Sequence, residues 1–461
     1  MTNTAELYEL ILNNEALHYI DPVTDTTRTA RDFHESLDID NSGGLVFLFA
    51  DNQIQTVELL LNLLRSNFTI ALLNPALNQE YKAQLESRYQ PYYIYDLTRP
   101  FLNGYDAITV GTKHHLFKQR NGLKTEVNPQ IKLLINTSGS TGSPKFVKLS
   151  AQNLLSNALS ILDYLPIKAF DVAPLNLPLF YSYGLSVFTT NSIGGGGIVC
   201  SNSTIMQKEF WQELERYQYT SLAGVPYVYE MLQRLGFLDK TYPSLRYFTQ
   251  AGGRMDKGIL SAFANYAQEK ELSFYAMYGQ TEATARISFV PPEQLLSKIG
   301  SIGKPIKDGE LDINPLSGEL RYYGPNIYGG YATEPADLLD YCQKPVLYTG
   351  DLARRDADGY FYITGRSKRF VKLFGTRINL DDVEQILKEN FSGMSFICIG
   401  EEDKYLTVAH LDDVISGKAI KDLLYDKVKV HPQSVKVKLI AELPLNANGK
   451  IDYNAAALKE V

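Results

Sequence analysis

Cysteine is scarce in this 461-residue chain, and its three copies, Cys200, Cys342 and Cys398, lie far apart. An odd, scattered set excludes a disulfide framework and a CxxC metal knuckle, and reads as spare buried thiols. Histidine is little used as well: the six present fall in no HExxH or comparable ligand spacing. Basic charge is not in excess. The 45 Lys and Arg are outnumbered by 52 Asp and Glu, giving a formal net charge of −7, which argues against a nucleic-acid partner because phosphates need a basic face. No apolar run reaches the roughly 18 residues of a membrane span. The opening MTNTAELYELILNNEALHYI lacks the basic region and long apolar stretch of a signal peptide. A cytoplasmic protein with small molecules or proteins as partners is expected.

What is present suits a large soluble chain, 44% hydrophobic and 21% charged. A single core stops growing at roughly 250–300 residues, so at least two domains are expected. From about Gly44 to Pro305, apolar β-branched runs such as GLVFLFA, FTIALLN and KLLINT alternate with helix-period segments such as QTVELLLNLLRS. That alternation predicts βαβ units and doubly wound α/β layers. Between Gly303 and Tyr331 the texture changes to short strands punctuated by Gly and Pro, which predicts a small β subdomain. After GRSKRF, an α+β segment follows, with Asn379 as the cap of a helix over LDDVEQILKENF. The domain boundary is placed at Lys368, giving residues 1–367 and 368–461. The run Gly194–Gly197 reads as a loop that needs unusual backbone angles.

The strongest local signal is NTSGSTGSPKFVKLS, Asn136 to Ser150, between a strand-like run and the helical AQNLLSNALSIL. Its glycines and hydroxyls let backbone amides and side-chain oxygens close around phosphate oxygens, with Lys145 as a nearby cation. The nucleotide loop GxxxxGK[ST] is excluded: the glycines Gly139 and Gly142 have the wrong spacing, and no Ser or Thr follows Lys145.

This segment is the first of four motifs in order. The others are YGQTEA (Tyr278 to Ala283), YTGDLARRDADGYFYITGR (Tyr348 to Arg366) and PLNANGKID (Pro444 to Asp452). Together they resemble the adenylate-forming superfamily, which contains acyl- and aryl-CoA synthetases, firefly luciferase and the adenylation domains of peptide synthetases. The resemblance covers the chain from about residue 131 to its end. It implies a large N-terminal domain of two doubly wound αβ subdomains with a small β-barrel-like subdomain, followed by a smaller, mobile α+β C-terminal domain. The implied reaction joins a carboxylic acid to AMP with pyrophosphate release and passes the acyl group to a thiol, using ATP and Mg²⁺.

Roles follow from the resemblance. Thr137, Ser138, Gly139, Ser140, Thr141, Gly142 and Lys145 would hold the phosphates. Glu282, beside Thr281, would bind Mg²⁺ as a hard oxygen ligand. Gly252, Gly253, Arg254, Tyr278, Gly279 and Gln280 would flank the nucleotide, and Asp351 with Arg366 would hold the ribose hydroxyls. Lys450 would bridge carboxylate and α-phosphate, stabilising charge that builds in the transition state. Lys368 would be the hinge about which the second domain turns, and Gly375 would line the thiol tunnel.

The acyl pocket is expected from Leu177–Ser186, Val225–Glu230 and Ala251–Gly252, including Tyr181, Ser182, Gly184, Val225 and Ala251. Tyr181 stands where amino-acid-activating relatives carry an Asp and many CoA ligases a His, so an acid without an α-ammonium group is expected. Ala151 departs from a frequent His, which affects helix entry more than chemistry. The acceptor is coenzyme A or the phosphopantetheine of a separate carrier protein, since the chain stops eleven residues after Lys450. The basic cluster Arg366–Lys372 is compatible with the 3′-phosphate of coenzyme A. A non-catalytic acyl-binding homologue would be signalled by loss of Lys145, Glu282, Asp351 or Lys450, and all four are present.

Overall fold

The computed structural model describes residues 3–36, 42–110, 114–137, 145–366, 369–373, 376–391, 394–401, 404–411, 414–446, 450–453 and 455. The chain divides into two compact units, Met1–Glu310 with Tyr323–Leu347, and Leu311–Tyr322 with Tyr348–Val461.

The larger unit contains an eight-stranded sheet ordered Tyr331–Ala332, Lys145–Leu149, Leu133–Thr137, Phe68–Leu73, Gly44–Phe49, Tyr93–Tyr95, His114–Gln119, Tyr105–Val110. Its middle strands, from Leu133–Thr137 to Tyr93–Tyr95, run parallel. The apolar run GLVFLF makes sense there, because both faces are covered. Val46 and Leu48 pack with Leu60 and Leu64 of the helix Ile54–Arg65, while Phe47 and Phe49 pack with Leu85 and Tyr89 of the helix Gln79–Tyr89 on the other face.

A second layer is built from parallel strands Ser221–Gly224, Tyr247–Gln250 and Ser273–Tyr278, continued antiparallel by Ser288–Val290 and Lys304–Pro305. A four-stranded sheet ordered Val172–Pro174, Gly197–Val199, His18–Asp21, Thr26–Thr29 adjoins it. The seam is hydrogen-bonded, Thr220 N–H donating to the Val172 carbonyl at 2.9 Å and Val172 N–H to Thr220 Oγ1 at 3.0 Å. The helix Ala151–Leu162 starts at Ser150, whose hydroxyl and the Asn153 side chain form a reciprocal capping box.

The smaller unit holds a four-stranded sheet, Glu310–Ile313, Glu319–Tyr323, Leu347–Arg355 and Phe361–Arg366. It also holds a hairpin Phe370–Leu373/Thr376–Asn379 and a three-stranded sheet Phe396–Glu401, Tyr405–His410, Val435–Leu439. Val383 and Leu387 of the helix Leu380–Asn390 share its core with Ile420 and Leu424 of the helix Gly417–Val428. Asn379 caps the first of these as the sequence predicts, accepting from Asp381 N–H at 2.9 Å. The architecture is α/β, a large N-terminal domain followed by a smaller C-terminal one. Among the described residues no helix is long and apolar enough to cross a membrane.

Three local expectations are corrected or refined. The strands between Gly303 and Tyr331 serve three sheets: Lys304–Pro305 edges the second layer, two strands enter the four-stranded sheet, and Tyr331–Ala332 edges the eight-stranded one. The glycines 194–197 adopt no positive φ. They are required by close approach instead, since a Cβ at Gly196 would lie 1.8 Å from the Ala169 carbonyl oxygen. Cys342 is exposed rather than buried, because it follows the short helix Pro335–Leu339 into a surface loop, whereas Cys200 and Cys398 are buried and their thiols are pushed well up by burial.

Candidate active site

The parallel register aligns Gly224 with Gln250 and Gln250 with Ala276. The three strands therefore end side by side, delivering Val225, the Ala251–Arg254 segment and Tyr278–Glu282 to one edge. Ligands in open α/β sheets bind at the carboxyl ends of the strands, which is this edge. Ala251 is buried, Arg254 is exposed, and Gly252 and Gly253 lie between them in the turn. After Tyr278 the chain doubles back: Ile287 N–H returns to the Tyr278 carbonyl at 2.9 Å, and Thr281–Ala283 form a 3-10 turn that opens at Gln280. Gly279 has no room for a side chain there, since its Cβ would meet the Ala285 carbonyl oxygen at 1.8 Å.

Two contacts tie this turn to other elements. The Ser182 and Thr281 hydroxyls lie 3.2 Å apart, which brings the start of the helix Ser182–Gly194 to the edge. Tyr331 donates its hydroxyl to Glu282 Oε1 at 2.8 Å, and its ring carries the Lys145 ammonium 3.3 Å above its centre. Lys145 begins a strand whose backbone pairs with Thr137, so both ends of the phosphate-type loop are fixed by the sheet. Burial and the neighbouring Glu282 carboxylate hold the Tyr331 phenol far above its ordinary range, so it stays a donor. Sequence reading did not find Tyr331, which is joined to this group by an edge strand paired to Val147. Ser138, Gly139, Ser140, Thr141 and Gly142 lie outside the described residues, as does the Thr137 side chain.

Glu282 fits a magnesium ion by its donor chemistry. Its second oxygen accepts no hydrogen bond from the described residues, and no cluster of three or more His, Cys, Asp or Glu competes with it among them. One carboxylate supplemented by phosphate oxygens and water is how Mg²⁺ is commonly held.

Beside the edge lies a narrow slot lined by Tyr183, Ser186, Thr249, Met277 and Arg286, among others, with about 20 Å³ free for the centre of a water. Of the residues expected in the acyl pocket by number, Tyr181, Ser182, Gly184, Val225 and Ala251 are not in its lining; Tyr183 and Ser186 of the segment Leu177–Ser186 are. Tyr181 is buried, and burial raises its phenol. Tyr183 donates to the Thr249 carbonyl at 2.9 Å, and burial pushes its phenol up to about 12. These walls are neutral. The charge in the lining belongs to Arg286, which sequence reading passed over although an arginine inside the apolar run after YGQTEA was a signal.

In the smaller unit Asp351 and Arg366 face each other on paired strands, Arg366 Nε 3.5 Å from Asp351 Oδ1. The carboxylate is largely buried and the arginine exposed. Lys450 is bonded to Asn446 twice: Asn446 N–H donates to the Lys450 carbonyl at 2.8 Å and Lys450 N–H to Asn446 Oδ1 at 3.1 Å. Lys368 and Gly375 lie outside the described residues. The basic run 366–372 is partly committed internally: Arg369 pairs with Asp381 and, at 2.8 Å, with Glu384, and stacks 3.7 Å over the Tyr453 ring.

The sequence is 27% identical over 345 residues to the oxalate–CoA ligase of Arabidopsis thaliana, covering 70% of this chain and 66% of that one. The match therefore spans just under two thirds of that relative's length. A 2-succinylbenzoate–CoA ligase of Bacillus cereus is 28% identical over 361 residues, 73% of each chain. Among solved structures, the O-succinylbenzoate coenzyme A synthetase of Bacillus subtilis in complex with ATP and magnesium superposes with a TM-score of 0.75 at 20% identity, covering 100% of both chains. A fatty acyl CoA synthetase of Mycobacterium tuberculosis gives 0.70 at 17%, over 96% of each. The family model described as AMP-binding enzyme matches residues 9–332, which contain the eight-stranded sheet, the second layer and the Lys145–Tyr331–Glu282 junction. With that match across most of its length, the chain belongs to the AMP-binding enzyme family.

Proposed function

We propose that this protein condenses a carboxylic acid with ATP to an acyl-adenylate, releasing pyrophosphate, and then transfers the acyl group to the thiol of coenzyme A. The observation that carries the reading is the junction at the strand ends: a cation, a phenol and a carboxylate from three distant segments, Lys145, Tyr331 and Glu282, meet there. Bound ATP would supply the adenylyl group, and the magnesium ion held by Glu282 would neutralise its triphosphate.

The chain's own residues would do the rest. Thr137 and Lys145, with the loop Ser138–Gly142, would grip the phosphates and the departing pyrophosphate. Tyr278 and the Gly252–Arg254 turn would border the base. Asp351 would accept from the ribose hydroxyls with Arg366 held against it. Lys450 would stabilise the charge that accumulates between the acid's carboxylate and the α-phosphate, a preorganised electrostatic term needing no general base. Lys368 would be the hinge of residues 368–461, and Gly375 would border the thiol's approach.

Coenzyme A is favoured as acceptor because the relatives reported above carry CoA ligase names. An acid without an α-ammonium group is favoured because no carboxylate lines the slot beside the strand ends among the described residues, whereas a guanidinium does. An incoming ammonium would meet like charge in a desolvated place. Mass spectrometry of the purified protein with MgATP and an acid panel tests the reading: acyl-AMP should form, and convert to acyl-CoA when coenzyme A is added. Persistence of the adenylate on addition of coenzyme A would remove the acceptor assignment.

A further inference from the structure

Buried cations in this fold have partners. Lys82 is fully buried against Asp96 at 2.8 Å. Lys148, also buried, donates to the carbonyls of Asp337 and Asp340 at 2.8 and 2.7 Å. Lys132 donates to the carbonyls of Leu63, Ser66 and Phe68 at 2.8, 2.7 and 2.9 Å. Arg286 is held differently, its hydrogen bonds going to the Tyr164 phenol and, at longer range, to the Ser186 hydroxyl. It is 2% exposed, yet no carboxylate pairs with it among the described residues. Its Nη2 is 3.4 Å from Ser186 Oγ, its guanidinium carbon sits 4.8 Å from the Tyr183 ring centre, and its Nε has no hydrogen-bond partner.

The backbone holds the residue in this setting. The Arg286 carbonyl accepts from Asn157 Nδ2 at 3.1 Å and from Asn326 Nδ2 at 2.8 Å, so the side chain is presented from a fixed point. An arginine does not shed its proton, so the guanidinium remains charged in a site walled by neutral side chains, phenols, hydroxyls and the Asn191 amide among them. A buried charge without a counter-charge is strongly unfavourable. The slot it lines is where an anion would relieve that cost.

We propose that the acid this enzyme activates carries a second anionic group, a carboxylate in the first instance, which Arg286 binds inside the slot while the reacting carboxylate lies toward Thr281. This rests on the activation reading above and names the substrate class of the same site. Ser182, beside Thr281, and Ser186, beside Arg286, are four residues apart on one helix, about 6 Å along its axis. That separation and the narrowness of the slot call for a short diacid and exclude a long alkyl chain.

The test pairs each of several short diacids with its own monoester and with its sulfonate analogue, using wild-type protein and the Arg286→Met and Arg286→Lys variants. With wild type, the diacid should exceed its monoester in kcat/KM for adenylation by about 10- to 100-fold, the range for a charged hydrogen-bonded contact. Arg286→Met should erase that preference mainly through KM, and Arg286→Lys should restore part of it. Sulfonate accepted as well as carboxylate would support a general anion site; carboxylate alone would support the diacid specifically. Equal loss on all acids in Arg286→Met, or a wild-type preference for the monoester, would overturn the proposal.

Stability gives an independent arm. If Arg286 is uncompensated in the free protein, Arg286→Met leaves the unliganded melting temperature unchanged or raises it. A fall of more than about 4 °C would mark the arginine as structural and contradict the proposal. Calorimetric titration of a diacid into wild type and Arg286→Met tests the contact without turnover. Adenylation absent with every acid would count against the activation reading, and Arg286-dependent diacid binding would still stand or fall by itself.

Discussion

Lys145 and Arg286 are the cations of two neighbouring regions of the larger unit, and they are held in opposite ways. Lys145 rests on the Tyr331 ring, and that same ring donates to Glu282, so charge of both signs is present in a half-exposed place. Arg286 is buried among neutral phenols with no carboxylate beside it among the described residues. The first arrangement is internally balanced and would suit a ligand that brings its own metal ion, as proposed for MgATP. The second is complete only when something negative arrives. Activity changes on the two sides should therefore separate: phosphate-side substitutions should act alike on every acid, and acid-side substitutions should sort the acids.

The largest break in that comparison should come from Lys450→Ala. Pyrophosphate exchange should fall on the order of 100- to 1,000-fold with all acids, the cost of removing one preorganised charge-stabilising donor. Transfer from a supplied acyl-adenylate to the thiol should survive, and loss of both halves together would remove the division of labour. Next is Glu282→Gln, which keeps an acceptor for the Tyr331 hydroxyl while removing the charge. Exchange should become dependent on much higher magnesium, by about tenfold or more, and a magnesium titration showing no shift would free Glu282 from that role.

Tyr331→Phe sharpens the phosphate side. The ring under Lys145 stays and the bond to Glu282 goes, a loss of about 1 kcal/mol. KM for MgATP should rise several-fold while KM for the acid is unchanged; a change in acid KM would mean the two sides are coupled. The smallest catalytic effect should come from Gly196→Ala, whose own backbone bonds go to His18 and Asp171, neither of which lines the slot. Its Cβ would collide with the Ala169 carbonyl at 1.8 Å, so thermal unfolding should drop by about 1–3 kcal/mol. Turnover per folded molecule should hold.

The same contrast explains what the sequence made legible. Strands such as Gly44–Phe49 and helices such as Ile54–Arg65 were readable because burial on both faces and helical period leave direct patterns. Glu282, Asp351 and Lys450 stand out as candidates in the sequence because each lies inside a continuous motif. Tyr331 does not, since its role depends on an edge strand folding back beside Val147. Arg286 does not, because nothing local says that a single arginine in an apolar run will be buried without a counter-charge. The glycines 194–197 were misread for a related reason: backbone angle is a local property, but the approach of Ala169 is a tertiary one.

Isotope exchange between pyrophosphate and ATP, run with magnesium across a panel of carboxylic acids including short diacids, tests the central claim most directly. The account predicts acid-dependent return of label into ATP that falls on the order of 100- to 1,000-fold in Lys450→Ala. No return of label with any acid, from protein that is folded and binds nucleotide, would contradict it.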